Sequence, residues 1–313
     1  MIPMFDAHCD TLSYLLEHPA ATLEKSSGQL DLERLAGYVP CAQFFAVFRD
    51  RAVTGRPMWD CFLEQVDLFE RLMCQYSSRI VHCRSAAQAR EAAEQGKVAA
   101  FLSVEGAELL ECSEERLEQA CGLGVRAVNL TWNHANALSG SNKDEPERGL
   151  SECGRRFVRR MGQLGMLIDV SHLSDPGFWD VMEYAPGPVI ASHSNARSVF
   201  FHTRNLTDSQ ITAIIKGRGV IGLNLYEAFL GQPPTGVDTV LAHLEHMLEL
   251  GGGKTVALGG DWDGADPLAG GFSHVSHWRL LYDAMVRRNY PRELIENLFY
   301  NNMMRIVREV CDT

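Results

Sequence analysis

Six ionisable side chains stand where apolar runs of this chain end: His8, Asp10, Glu105, His172, His193 and Asp261. Imidazole and carboxylate are the donors that hold zinc-like ions, and a carboxylate beside such ions can also carry a proton. His8-Cys9-Asp10 spaces an imidazole and a carboxylate two residues apart, on one side of an extended chain, where both can share one ion. Glu105 closes the apolar run 98–104. Burying a carboxylate unpaired is costly, so it needs either an arginine or metal ions on its two oxygens. His172 and His193 each follow a serine at the end of consecutive runs, and two neutral imidazoles so placed suit a second ion. Asp261, in Gly259-Gly260-Asp261-Trp262-Asp263-Gly264, is placed to orient a water, accept its proton and return it to a leaving amine. Asp263 reads as a turn residue.

Side chains so far apart in the chain converge only if the elements carrying them surround a common axis. Eight short runs read as strands: 4–9, 41–48, 98–104, 125–131, 166–171, 189–192, 219–226 and 255–260. They are near-continuous in apolar residues, as parallel strands buried on both faces are. Between them, 59–76 repeats apolar residues at Phe62, Val66, Phe69 and Met73, and 151–164, 208–216 and 237–250 also read as helices. The alternation implies an α/β fold, a (β/α)8 TIM barrel of the metal-dependent hydrolase type, as a single domain over residues 1–313. Two extra C-terminal helices, 274–288 and 292–310, would flank it. The polar, Gly-rich stretches 133–149, 229–236 and 263–271 follow strand ends, where barrel active sites lie.

Bulk properties narrow the function. A formal net charge of -11 argues against a nucleic-acid partner, which needs a basic surface. No window approaches the roughly 18 apolar residues of a membrane span. Met1–Asp6 shows no basic and apolar leader, and the nine scattered cysteines form no C-x-x-C pair, so a cytoplasmic protein with reduced thiols is expected. The lysines are Lys25, Lys97, Lys143, Lys216 and Lys254, none at a strand end. A carboxylated lysine, the other bridging group of two-metal barrels, therefore has no candidate, which favours Glu105 as the bridge.

Together these segments resemble the membrane (renal-type) dipeptidase family of zinc metallopeptidases, peptidase family M19 of the amidohydrolase superfamily. The resemblance runs through Phe5-Asp6-Ala7-His8-Cys9-Asp10, Ser103-Val104-Glu105-Gly106, Asp169-Val170-Ser171-His172, Ser192-His193-Ser194 and Gly260-Asp261-Trp262-Asp263-Gly264. It implies two zinc ions per chain: His8 and Asp10 on one, His172 and His193 on the other, Glu105 bridging, and Asp261 as proton shuttle. Asn129-Leu130-Thr131-Trp132-Asn133-His134 resembles a segment whose histidine touches the substrate, which implies His134 as the oxyanion-side donor. Thr203-Arg204-Asn205-Leu206 resembles one whose arginine grips the substrate's C-terminal carboxylate, which implies that role for Arg204. Departures from animal members are that no leader, lipid-anchor signal or inter-subunit disulfide is evident, and that Trp262 stands where phenylalanine is common.

The expectation is a binuclear zinc dipeptidase, with a metal-bridging hydroxide as nucleophile. The substrate would be a dipeptide with a free C-terminal carboxylate, a D-residue there being tolerated; no membrane or nucleic acid is involved, and a homodimer is the candidate assembly. The alternative is another two-metal amidohydrolase, acting on a lactone, cyclic amide or N-acyl amino acid. A requirement for the carboxylate separates the two. A barrel kept only as a scaffold would have lost at least one of the six groups.

Overall fold

The computed structural model describes residues 1–312. Within them one parallel sheet contains β1 (Ile2–Asp6), β2 (Tyr38–Phe48), β3 (Ile80–His82), β4 (Val98–Glu105), β5 (Val125–Asn129), β6 (Leu167–Asp169), β7 (Ile190–Ala191), β8 (Val220–Leu223) and β9 (Val256–Leu258). Eight of these close a ring in the order β1-β2-β4-β5-β6-β7-β8-β9, completed by β2 against β4 and β9 against β1. This is the (β/α)8 barrel, and each of its strands falls on one of the eight apolar runs. β3 is additional. It pairs with Val98–Ala100 on the edge of β4 that β5 takes over from Leu102 onward. Three residues are too few to stand out by apolar pattern.

The interior is filled by stacked rings of Phe5, Phe44 and Phe101, with centroids 5.1–5.8 Å apart, alongside Ala127, Leu167, Ile190, Val220 and Ala257. Met303, Ile306 and Val307 of the helix Asn302–Cys311 belong to the same cluster and stopper the N-terminal end. Outside, the helix Met58–Gln75 buries Phe62, Val66, Phe69 and Met73. Ser151, Ser174 and Thr207 cap later helices through their hydroxyls, each worth about 1 kcal/mol. The expected helix 292–310 is one helical run interrupted by a π turn at Asn297–Asn301. Just beyond it, Asn302 Nδ2 donates to Val256 O at 2.8 Å, which fastens the run to the base of β9. No helix of the described residues is long and apolar enough to cross a membrane.

Several barrel strands stop before the residues of interest, because side-chain carboxylates replace the ladder there. Asp6 Oδ1 accepts from His8 N at 3.0 Å, and Asp169 Oδ1 accepts from Ser171 N and Ser192 N, each at 3.0 Å. Asp6 also accepts from Gly260 N, Trp262 Nε1 and Trp278 Nε1, so the first strand's last residue gathers the loop after β9. His8, His172, His193 and Asp261 consequently sit on short turns past their strands, aimed over the C-terminal mouth of the barrel.

Candidate active site

At that mouth the six side chains meet. Glu105, the last residue of β4, is buried and presents its two oxygens to different partners. Oε1 lies 3.0 Å from His172 Nε2 and 3.4 Å from His193 Nε2, whereas Oε2 lies 3.6 Å from His8 Nε2. His8 Nε2 is also 3.2 Å from Asp10 Oδ2 and 3.9 Å from Asp261 Oδ1. The donors thus fall into overlapping groups, His8–Asp10–Glu105 and Glu105–His172–His193, with Glu105 in both. A third, His8–His193–Asp261, spans them.

Nitrogen and oxygen donors so arranged fit divalent ions. Asp10 Oδ1 is buried without a hydrogen-bond partner, as an oxygen reserved for a cation would be. The Nε2 atoms of His172 and His193 lie 3.0 Å apart. His172 Nδ1 donates to Asn133 Oδ1 at 3.2 Å, which leaves its Nε2 as a lone pair. His193 Nδ1 is engaged by Ser192 Oγ at 2.7 Å. Fixing one ring nitrogen so that the other points at a metal is the usual orienting device for histidine ligands.

The electrostatics divide the same way. Burial drives His172 and His193 well below the ordinary imidazole value, so both are neutral at pH 7 and their free nitrogens could ligate. Burial also disfavours the His8 cation, but the carboxylates of Glu105 and Asp10 outweigh it and hold that imidazole well above its ordinary value. Burial pushes Glu105 up to about 7. Asp261 is raised too, chiefly by burial, although Asn224 Nδ2 donates to its Oδ2 at 3.0 Å.

The turns carrying these groups are strained. His172, Asp261 and Asp263 have φ of +68°, +61° and +64°, a region that costs a non-glycine residue about 1 kcal/mol or more. Asp263 is restrained by Thr11 Oγ1, which donates to Oδ2 at 2.7 Å, and by Gln29 Oε1, which accepts from its backbone N–H at 2.7 Å. Next to them, a Cβ on Gly264 would meet Asp10 Oδ2 and Asp261 Oδ1, so a larger residue there must displace both carboxylates.

Above the cluster opens a cavity of about 340 Å³. Arg204, Tyr226 and Phe229 line it from the segments after β7 and β8, Phe48 from the end of β2, and Val53 and Trp132 from the segments after β2 and β5. The Arg204 guanidinium is only 6% exposed and rests 5.4 Å from the Phe229 ring. Its Nη2 donates to His193 O at 3.3 Å, its Nε has no partner, and no carboxylate pairs with it among the described residues. Burial lowers it to about 10, so it is a cation at neutral pH.

The profile of the membrane dipeptidase family (peptidase family M19) matches residues 1–313. The chain belongs to that family. The dipeptidase is 32% identical over 289 residues to an uncharacterized dipeptidase of Schizosaccharomyces pombe, covering 89% of this chain and 69% of that one. A solved metallo peptidase of Rhodobacter sphaeroides, liganded with a phosphinate mimic of the dipeptide L-Ala-D-Ala, superposes with a TM-score of 0.89 at 29% identity, over 99% of both chains. A second solved dipeptidase of family M19 gives a TM-score of 0.89 at 30% identity, covering 100% of this chain and 99% of that one. The protein is thus a metallo-dipeptidase of family M19, a family that implies a divalent metal.

His8, Asp10, Glu105, His172, His193, Asp261 and Arg204 of the dipeptidase converge. His134 does not join them. Its Nε2 lies 3.4 Å from Asp50 Oδ1 and its ring is not part of the cavity wall. Trp132 and Asn133 line the cavity from the same segment. The chain leaves β5 at Asn129 and turns, and Asp50, from the segment after β2, holds His134 at the rim. Sequence reasoning passed over Asn133, Asn224 and Phe48. An asparagine after an apolar run was the available signal for the first two.

Proposed function

We propose that this dipeptidase works with two divalent ions, zinc by the character of its donors, with Glu105 held between them. His8 and Asp10 would hold one ion, His172 and His193 the other. The observation that supports this most directly is the division of Glu105's oxygens between two donor sets. Such ions would acidify a water to serve as nucleophile near neutral pH and polarise the scissile carbonyl.

The remaining work falls to side chains. Asp261, raised by burial and steadied by Asn224, takes a proton from the attacking water and delivers it to the departing amine. Arg204, a buried cation without a counter-ion, receives the substrate's C-terminal carboxylate. On the oxyanion side, Trp132 and Asn133 carry N–H donors in residues that line the cavity, whereas His134 acts there only on leaving Asp50. The phosphinate mimic bound by the Rhodobacter sphaeroides relative supports a C-terminal D-residue as acceptable here.

A screen of the zinc-loaded enzyme against L-Ala-L-Ala, L-Ala-D-Ala, their C-terminal amides and simple lactones tests this reading. Free-acid dipeptides should be cleaved and the amides and lactones should not. Equal turnover of substrates lacking the carboxylate would sink it.

A further inference from the structure

We infer that this dipeptidase selects for a bulky apolar or aromatic side chain on the amino-terminal residue of its substrate, received on a shelf formed by Trp132 and Phe48. The inference rests on Arg204 taking the C-terminal carboxylate.

The ring order gives the direction. β2 and β7 stand four places apart in a ring of eight strands, and therefore face each other across the mouth. Arg204 lies in the segment after β7, and Phe48 is the last residue of β2, in register with Glu105. A dipeptide anchored by its carboxylate at Arg204, with its peptide bond over the carboxylate–imidazole cluster, must send its first residue towards β2 and β5.

Two aromatic rings stand there. The Phe48 and Trp132 rings lie 4.8 Å apart at a 55° tilt, and Trp132 also approaches the His172 ring at 6.3 Å and, edge-on, the His134 ring at 5.7 Å. Three ring neighbours thus hold the indole, which lines the cavity. Val53, on the same wall, is 76% exposed, an aliphatic side chain left uncovered at the opening.

Two acids of this wall are each engaged through one oxygen. Glu17 Oε1 pairs with Arg49 at 2.7 Å, and Asp50 Oδ1 takes His134 and the backbone N–H of Ala52. The Tyr14 hydroxyl contacts Ser27 Oγ at 3.0 Å. A leucine or phenylalanine side chain would cover Trp132, Phe48 and Val53 together. Filling such a surface discriminates between apolar side chains by about 10- to 200-fold.

The experiment compares kcat/KM for Gly-Ala, Leu-Ala, Phe-Ala and Lys-Ala, and for the reversed Ala-Xaa series. Tests use the zinc-loaded wild type, Trp132→Ala and Trp132→Phe. Wild type should favour Leu-Ala and Phe-Ala over Gly-Ala by about tenfold or more, with a flatter reversed series. Trp132→Ala should bring the Phe-Ala to Gly-Ala ratio to within about threefold, and Trp132→Phe should keep most of it. A flat first series, a preference for Lys-Ala, or selectivity unchanged in Trp132→Ala overturns the shelf. If Trp132→Ala does not fold, the wild-type series and Trp132→Phe still decide. Cleavage of Phe-Ala amide as fast as Phe-Ala would instead remove the Arg204 reading beneath the inference.

Discussion

Glu105 Oε1 and His172 Nε2 stand 3.0 Å apart while the other oxygen of Glu105 faces His8, so one carboxylate joins two otherwise separate sets of donor atoms. Glu105→Gln replaces one of these oxygens by an N–H₂ group that cannot ligate. Metal per chain should drop below two, and kcat/KM should fall by more than about 100-fold. Metal analysis of the purified variant beside its kinetics checks this; two tightly held ions in an active Glu105→Gln enzyme would contradict the bridge.

Asp261→Asn keeps the shape of the loop and removes the titrating group. Loss of general acid–base catalysis lowers kcat by about 10²–10⁴-fold. Metal content should stay at the wild-type level, because Asp261 is assigned the proton and not an ion. Steady-state kinetics paired with metal analysis separate the two roles.

Arg204→Ala removes a cation that has no counter-ion of its own. Charge-assisted hydrogen bonds contribute about 1.5–3 kcal/mol, so kcat/KM for a free-acid dipeptide should fall by roughly 10- to 150-fold. The variant should also lose the preference for the free acid over its amide. A preference that survives in Arg204→Ala places the carboxylate elsewhere.

Metal affinity should depend on pH in one direction. His172 and His193 are already neutral at pH 7 and release no proton. Glu105, at about 7, and His8, raised well above its ordinary value, both carry protons below neutrality that an ion must displace. Apparent affinity therefore rises as pH increases through 7 and falls on acidification. Zinc titrations of apoprotein at pH 6, 7 and 8, with proton release followed, measure the slope; a pH-independent affinity would show that neither group is a ligand.

Much of this was readable from the chain because parallel strands buried on both faces appear as uninterrupted apolar runs, and an acid or imidazole at their ends is conspicuous. β3 escaped because Ile80–His82 is too short to make a pattern. His134 shows another limit. Beyond a strand's last residue, alternation no longer tells where a side chain points, and Asp50, far away in sequence, decides it. The neighbours that tune the ligands, Asn133 on His172 and Asn224 on Asp261, are joined only by folding, over |i−j| of 39 and 37.

The four N–H groups gathered by Asp6 bear on the order in which the molecule can be made. One donor is the backbone of His8, but the others belong to Gly260, Trp262 and Trp278. A nascent chain emerging from the ribosome carries His8 and Asp10 from the outset, yet Asp6 lacks three of its donors until the final quarter has been synthesised. The turn carrying His8 and Asp10 therefore has its full set of anchors only once the chain reaches Trp278, and a chain ending before Gly260 would keep just one of the four donors of Asp6.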